Sequence, residues 1–154
     1  MSIPAFLLRL MQRKELPHWV RLYPEERFAI AVANMLRQAT LDGRLSAVWF
    51  HVKNEHPGRS KHAETRNAVG KAMGVIPGVL DFAFLWGTGS GVLELKVTAA
   101  VRPNQKDFIA WSEERGVRTA MCRAKEAAIP AGVALVEKTL VVWGVLAPPQ
   151  IRKM

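Results

Sequence analysis

Disulfide chemistry is absent from this chain. Its 154 residues contain one cysteine, Cys122, so no bridge can close within it, and a reducing compartment is expected. Cys122 lies in the apolar stretch 117–122 and reads as a packed core thiol, not a nucleophile. Acidic residues are scarce: 13 Asp and Glu stand against 22 Lys and Arg, giving a formal net charge of +9. Such an excess favours a polyanionic partner, nucleic acid above all. No apolar run is long enough to cross a bilayer, since the longest, residues 131–147, is interrupted by Glu137 and Lys138. A secretory leader is not expected either, because the apolar patch 3–8 precedes Arg9, Arg13 and Lys14 instead of following its charges. Internal repeats and low-complexity stretches are missing. These absences point to a soluble cytoplasmic protein that does not enter membranes.

What is present suffices for a core: 49% of the residues are hydrophobic, in a length usual for one domain. Residues 1–23 read as an extension, part helix and part connection, with Pro17 and Pro24 as breaks. A helix is predicted from Pro24 to about Gly43, with proline in its first turn and Glu25 and Glu26 at its positive end. Phe28, Val32, Met35 and Leu36 give it an apolar face. Residues 47–52 read as a strand, 53–61 as a loop and 62–73 as a short helix capped by Ser60 and stopped by Gly74. Strands follow at 81–86 and 92–97, joined by a glycine loop over 87–91. A helix from Pro103 to Arg115 should bury Phe108, Ile109 and Trp111. A strand over 117–122 and a helix over 130–145 complete the chain. The expected fold is a mixed α/β sheet flanked by helices, with a core over 24–146.

The chemistry gathers in the central hairpin. Asp81 opens one apolar strand, and the returning strand carries Glu94 and Lys96. Charges in a buried strand are costly unless paired or bound to a metal. Strand alternation puts Glu94 and Lys96 on one face, and the hairpin folds Asp81 back beside them. Two carboxylates, the Leu95 carbonyl and water can surround Mg²⁺ octahedrally. A bound ion would polarise a phosphate and acidify a water, while Lys96 would orient that water or neutralise developing charge. This is equipment for phosphodiester hydrolysis. Just before the metal strand lies a basic set, Lys53, Arg59, Lys61, His62, Arg66 and Lys71, with only Glu55 and Glu64 as acids. It is expected to contact phosphates.

Several strings carry a wider likeness: Phe50-His51-Val52-Lys53-Asn54-Glu55, Lys71 through Gly74-Val75-Ile76-Pro77-Gly78-Val79-Leu80 to Asp81, Leu93-Glu94-Leu95-Lys96, Asn104-Gln105 with Trp111, and Gly116-Val117. In order and spacing they resemble the VRR-NUC family of the PD-(D/E)XK nuclease superfamily, in its compact phage or bacterial form, over about residues 24–145. The resemblance implies a restriction-endonuclease-like core and a Mg²⁺-dependent DNA endonuclease, with Mn²⁺ able to substitute. It makes Asp81 and Glu94 metal ligands, Lys96 the catalytic lysine, and Gln105 a neighbour of the site. A glutamate on the first helix completes the family's site. The apolar residues that follow Glu25 at family spacing (Phe28, Val32, Leu36) favour it over Glu26. One departure is Leu80, where the family has proline. Stand-alone members resemble Holliday-junction resolvases and act as homodimers, which implies branched DNA as substrate and a bacterial or phage-infected host cell. An apolar surplus, Trp19, Val141, Val142, Trp143 and Val145, exceeds what a small core needs, and a helix pair from residues 1–40 or 130–146 is expected to form the dimer face. The alternatives are a nuclease for flaps or simple duplexes, and a non-catalytic nucleic-acid-binding protein of the same fold.

Overall fold

The computed structural model describes residues 4–52, 61–76 and 78–149. Five helices and four strands follow one another: α1 (Ala5–Met11), α2 (Pro24–Leu41), β1 (Val48–His51), α3 (Lys61–Ala72), β2 (Phe82–Trp86), β3 (Gly89–Lys96), α4 (Pro103–Glu113), β4 (Arg118–Arg123) and α5 (Ile129–Val142), with a 3₁₀ turn at Glu126–Ala128 before α5. The strands form one mixed sheet in the order β1-β2-β3-β4. The chain divides into two compact units. One holds the described residues up to Ala47, Leu95–Ala99 and the described residues from Met121 onward; the other holds Val48–Glu94 and Ala100–Ala120.

In the first unit, α2 packs on α5. Phe28, Val32, Leu36 and Ala39 recur at helical spacing and are buried, as are Val136 and Leu140 of α5. Gly132 makes the close approach possible: a side chain there would meet the Ala124 methyl first and the Phe28 ring at 2.8 Å. α2 ends as its sequence suggests, with Gly43 at φ 68° just beyond the cap, a conformation glycine adopts without steric cost. The segment after α5 runs back along residues 44–47, through Ser46 N–H to the Val145 carbonyl (2.9 Å) and Ala147 N–H to the Arg44 carbonyl (2.8 Å). Trp143, Val145 and Leu146 are thereby buried. α5 is shorter than its apolar run suggests, because Trp143 caps it and Gly144 turns at φ 77°.

In the second unit, β1 pairs antiparallel with β2, and β2 with β3. Directly opposed residues share a face, so Trp49, Phe82, Phe84 and Leu93 form a buried layer. The glycine loop is tighter than its composition indicates. Trp86 pairs with Gly89, leaving Gly87 and Thr88 as a two-residue turn, and Gly89–Gly91 already belong to β3. A Cβ at Gly89 would press on the Trp86 indole at 3.0 Å.

α4 corrects the sequence reading. Its buried residues are Gln105 and Ser112, while Trp111 is 61% exposed. Arg115 lies over the Trp111 ring at 3.2 Å from its centroid and donates to the Trp111 carbonyl. The cation covers an aromatic face that would otherwise seek the core.

Candidate active site

The β2–β3 ladder runs to the pair Phe82↔Leu93. Continued by one pair, it places Asp81 opposite Glu94, on the face away from the buried Phe82–Leu93 layer. Asp81 is half-buried, and its carbonyl accepts from Val52 N–H at 2.7 Å, which extends the β1 pairing to the mouth of the hairpin. Glu94 is 3% exposed. Its Oε1 accepts a hydrogen bond of 2.5 Å from Gln105 Nε2, and Gln105 is itself buried.

Gln105 reaches Glu94 because of how α4 begins. Pro103 occupies the first turn, and Gln105 Oε1 accepts from the Arg102 N–H at 3.1 Å. That is half of a capping box; arginine has no acceptor for the reciprocal bond. One glutamine amide therefore caps the helix with its oxygen and holds Glu94 with its nitrogen. The absence of Ser, Thr, Asp or Asn before Pro103 is made good from inside the helix.

Gly78 fixes the approach to Asp81. It sits at φ 97°, and a Cβ there would lie 2.9 Å from the Asn104 backbone carbon and 3.0 Å from its side chain. The loop before β2 can touch the start of α4 only because position 78 has no side chain. Leu80, where proline is the family habit, is fully buried.

Lys96 and Glu25 belong to the first unit. Lys96 is 6% exposed, and its carbonyl accepts from Ala124 N–H at 2.9 Å. Glu25 and Glu26 separate clearly. Glu26 Oε2 accepts from Tyr23 N–H at 2.7 Å and caps α2. Glu25 Oε1 accepts from Thr98 N–H and Oγ1, each at 3.1 Å, and from Ala99 N–H at 3.4 Å. The Thr98 amide above all holds its carboxyl below the usual glutamate range. Glu25 thus fastens the chain two residues beyond Lys96. Nothing in the sequence singles out Thr98, since its partner lies far away along the chain.

The basic set is dispersed. Lys53 and Arg59 lie outside the described residues. Lys61, Arg66 and Lys71 are exposed on α3, but at helical pitch successive members are about 140° apart around the axis. They surround the helix and do not form a stripe. His51 pairs with Phe82, its ring edge-on to that phenyl at 4.9 Å. That is the opposite face from Asp81 and Glu94.

Among the described residues no helix is long and apolar enough to cross a membrane. Set against protein-family models, curated proteins and solved structures, the chain matches none.

Proposed function

We propose that this chain is a Mg²⁺-dependent endodeoxyribonuclease of the VRR-NUC type, acting as a homodimer on branched DNA such as four-way junctions. One observation carries the reading: Gln105, at the start of α4, holds the buried Glu94 carboxylate, and the β2–β3 ladder, which ends at Phe82↔Leu93, would bring Asp81 opposite Glu94 if continued by one pair. The succession of a helix, three strands with α3 between the first and second, a helix and a fourth strand supports a restriction-endonuclease-like core.

The donors suit a hard divalent ion. With the ladder continued by one pair, the Cβ atoms of Asp81 and Glu94 would be about 4.5–5.5 Å apart, close enough for two carboxylates to share one cation in an oxygen shell completed by water. Such an ion supplies a polarised phosphate and a water of lowered pKa. The chain's own residues supply the rest. Gln105 fixes the plane of the Glu94 carboxylate. Lys96 is the lysine that the resemblance makes catalytic, and its role there would be to offset developing negative charge. Glu25 anchors the chain that follows Lys96.

The test is cleavage of a four-way junction, a flap, a duplex and a single strand, with and without Mg²⁺ or Mn²⁺. Metal-dependent cutting that favours the junction, lost in both Asp81→Asn and Glu94→Gln, is expected. Turnover in either variant near the wild-type rate sinks the assignment, and binding of every substrate with cutting of none identifies a non-catalytic protein.

A further inference from the structure

Residues 9–23 lead from α1 to α2 and carry Arg9, Arg13, Lys14 and Arg21 against Glu15 as the sole acid. Two large aromatics within this stretch face solvent, Trp19 at 72% and Tyr23 at 73% exposure. Single exposed aromatics are common, but here both stand on fixed backbone. Trp19 lies at the tip of a turn closed by Val20 N–H to the Pro17 carbonyl at 3.0 Å. Tyr23 is the N-cap of α2, its N–H held by Glu26 and its carbonyl accepting from Arg27 N–H at 3.0 Å. Aromatics carried on a hydrogen-bonded backbone need less backbone ordering when something stacks on them.

The cations nearby lack acidic partners: among the described residues none of Arg13, Lys14 and Arg21 forms an ion pair. Arg37 of α2 is pinned by bonds to the Leu10 carbonyl (2.7 Å) and Asn34 Oδ1 (2.9 Å). Burial, and then the charge of Arg13, lowers its pKa. The Arg13 charge thus adds to the positive potential at the start of the segment, which favours an anion there.

We propose that residues 13–23 form an arm that binds single-stranded nucleic acid, with bases stacked on Trp19 and Tyr23 and phosphates held by Arg13, Lys14 and Arg21. Fixed aromatics alternating with unpaired cations are the chemistry of sequence-tolerant strand binding, and stacking needs bases not already paired. Anionic lipid also attracts Trp with Arg, but an interfacial anchor wants a sustained apolar helical face. This segment is irregular and interrupted by Gln12, Arg13, Lys14 and Glu15. The arm does not depend on the cleavage proposal and binds whether or not the chain cuts DNA.

The experiment titrates the full chain, in chelator without divalent metal, with labelled oligothymidylate of about twelve nucleotides. An abasic strand of equal length and phosphatidylglycerol vesicles are the other arms. Oligothymidylate is expected to bind and to quench tryptophan emission. Trp19→Ala and Tyr23→Ala should each weaken binding about ten-fold, whereas Trp19→Phe keeps the affinity and loses most of the quenching. Arg13→Ala with Arg21→Ala should flatten the salt dependence by about 0.7 log units per lost contact. Wild-type affinity in Trp19→Ala, equal binding of the abasic strand, or a response to vesicles alone would each overturn the arm.

Discussion

Gln105 uses both ends of its amide, one on the Arg102 N–H and one on Glu94. Gln105→Ala should therefore lose a cap and leave a buried carboxylate short of a donor. Urea denaturation is expected to show a loss of about 1–3 kcal/mol, with cleavage reduced in parallel; unchanged stability would mean that the bond is not formed in solution. Glu25 makes a different prediction. Its folded pKa lies below its ordinary value of 4.5, so its contribution is complete above that value and fades as pH falls through the lower, folded pKa. Wild type should melt above Glu25→Gln at neutral pH, and the gap should close toward pH 3. A gap that widens on acidification would contradict the Thr98 clamp. At this scale the sequence was partly legible. Glu94 and Lys96 stood out as charges in an apolar strand, and both are buried as that pattern implies. Gln105 and Glu25 needed the family likeness, and their partners were out of reach, because hydrogen-bond geometry is set by how distant segments meet.

Strand and helix order could be read because period-two and helical patterns reflect burial directly: Phe28, Val32 and Leu36 face inward as their spacing demands. The reading of α4 held in part: Phe108 and Ile109 are half-buried on the face of the buried Gln105 and Ser112, at positions i, i+3, i+4 and i+7, and Trp111 alone of the predicted three faces out. The polar bonds of the helix start and the guanidinium over Trp111 override hydrophobicity there. The hairpin turn was overestimated because glycine signals both a loop and a strand in close contact, and at Gly89 it is the latter. Helix packing yields a sharper test at Gly132, where any side chain collides with Phe28. Gly132→Ala should cost about 1–3 kcal/mol through overpacking, although alanine is the better helix former. A stabilised Gly132→Ala protein in thermal melts would show that α5 lies further from both Ala124 and Phe28.

For the molecule as a whole, charge and assembly are the measurable quantities. A net charge of +9 predicts DNA affinity that falls steeply with salt; binding indifferent to salt would exclude phosphate contacts as its source. A four-way junction has two strands to cut, and a two-fold dimer presents two sites related by symmetry. Sedimentation at micromolar concentration should accordingly reveal a dimer, and a monomer with and without junction DNA would refute it. The apolar surplus available for an interface is smaller than composition indicates, because Trp143 and Val145 are used internally while Val141 and Val142 stay exposed. One property of the chain serves all of these measurements. Its sole thiol, Cys122, is sealed in the core, and burial pushes its pKa up, so it is a poor target for alkylating dyes. A cysteine placed at Thr88, in the two-residue turn five strand pairs from Asp81, would become the one reactive handle on the molecule. A maleimide fluorophore there would report on DNA capture and subunit exchange without first engineering a cysteine-free background.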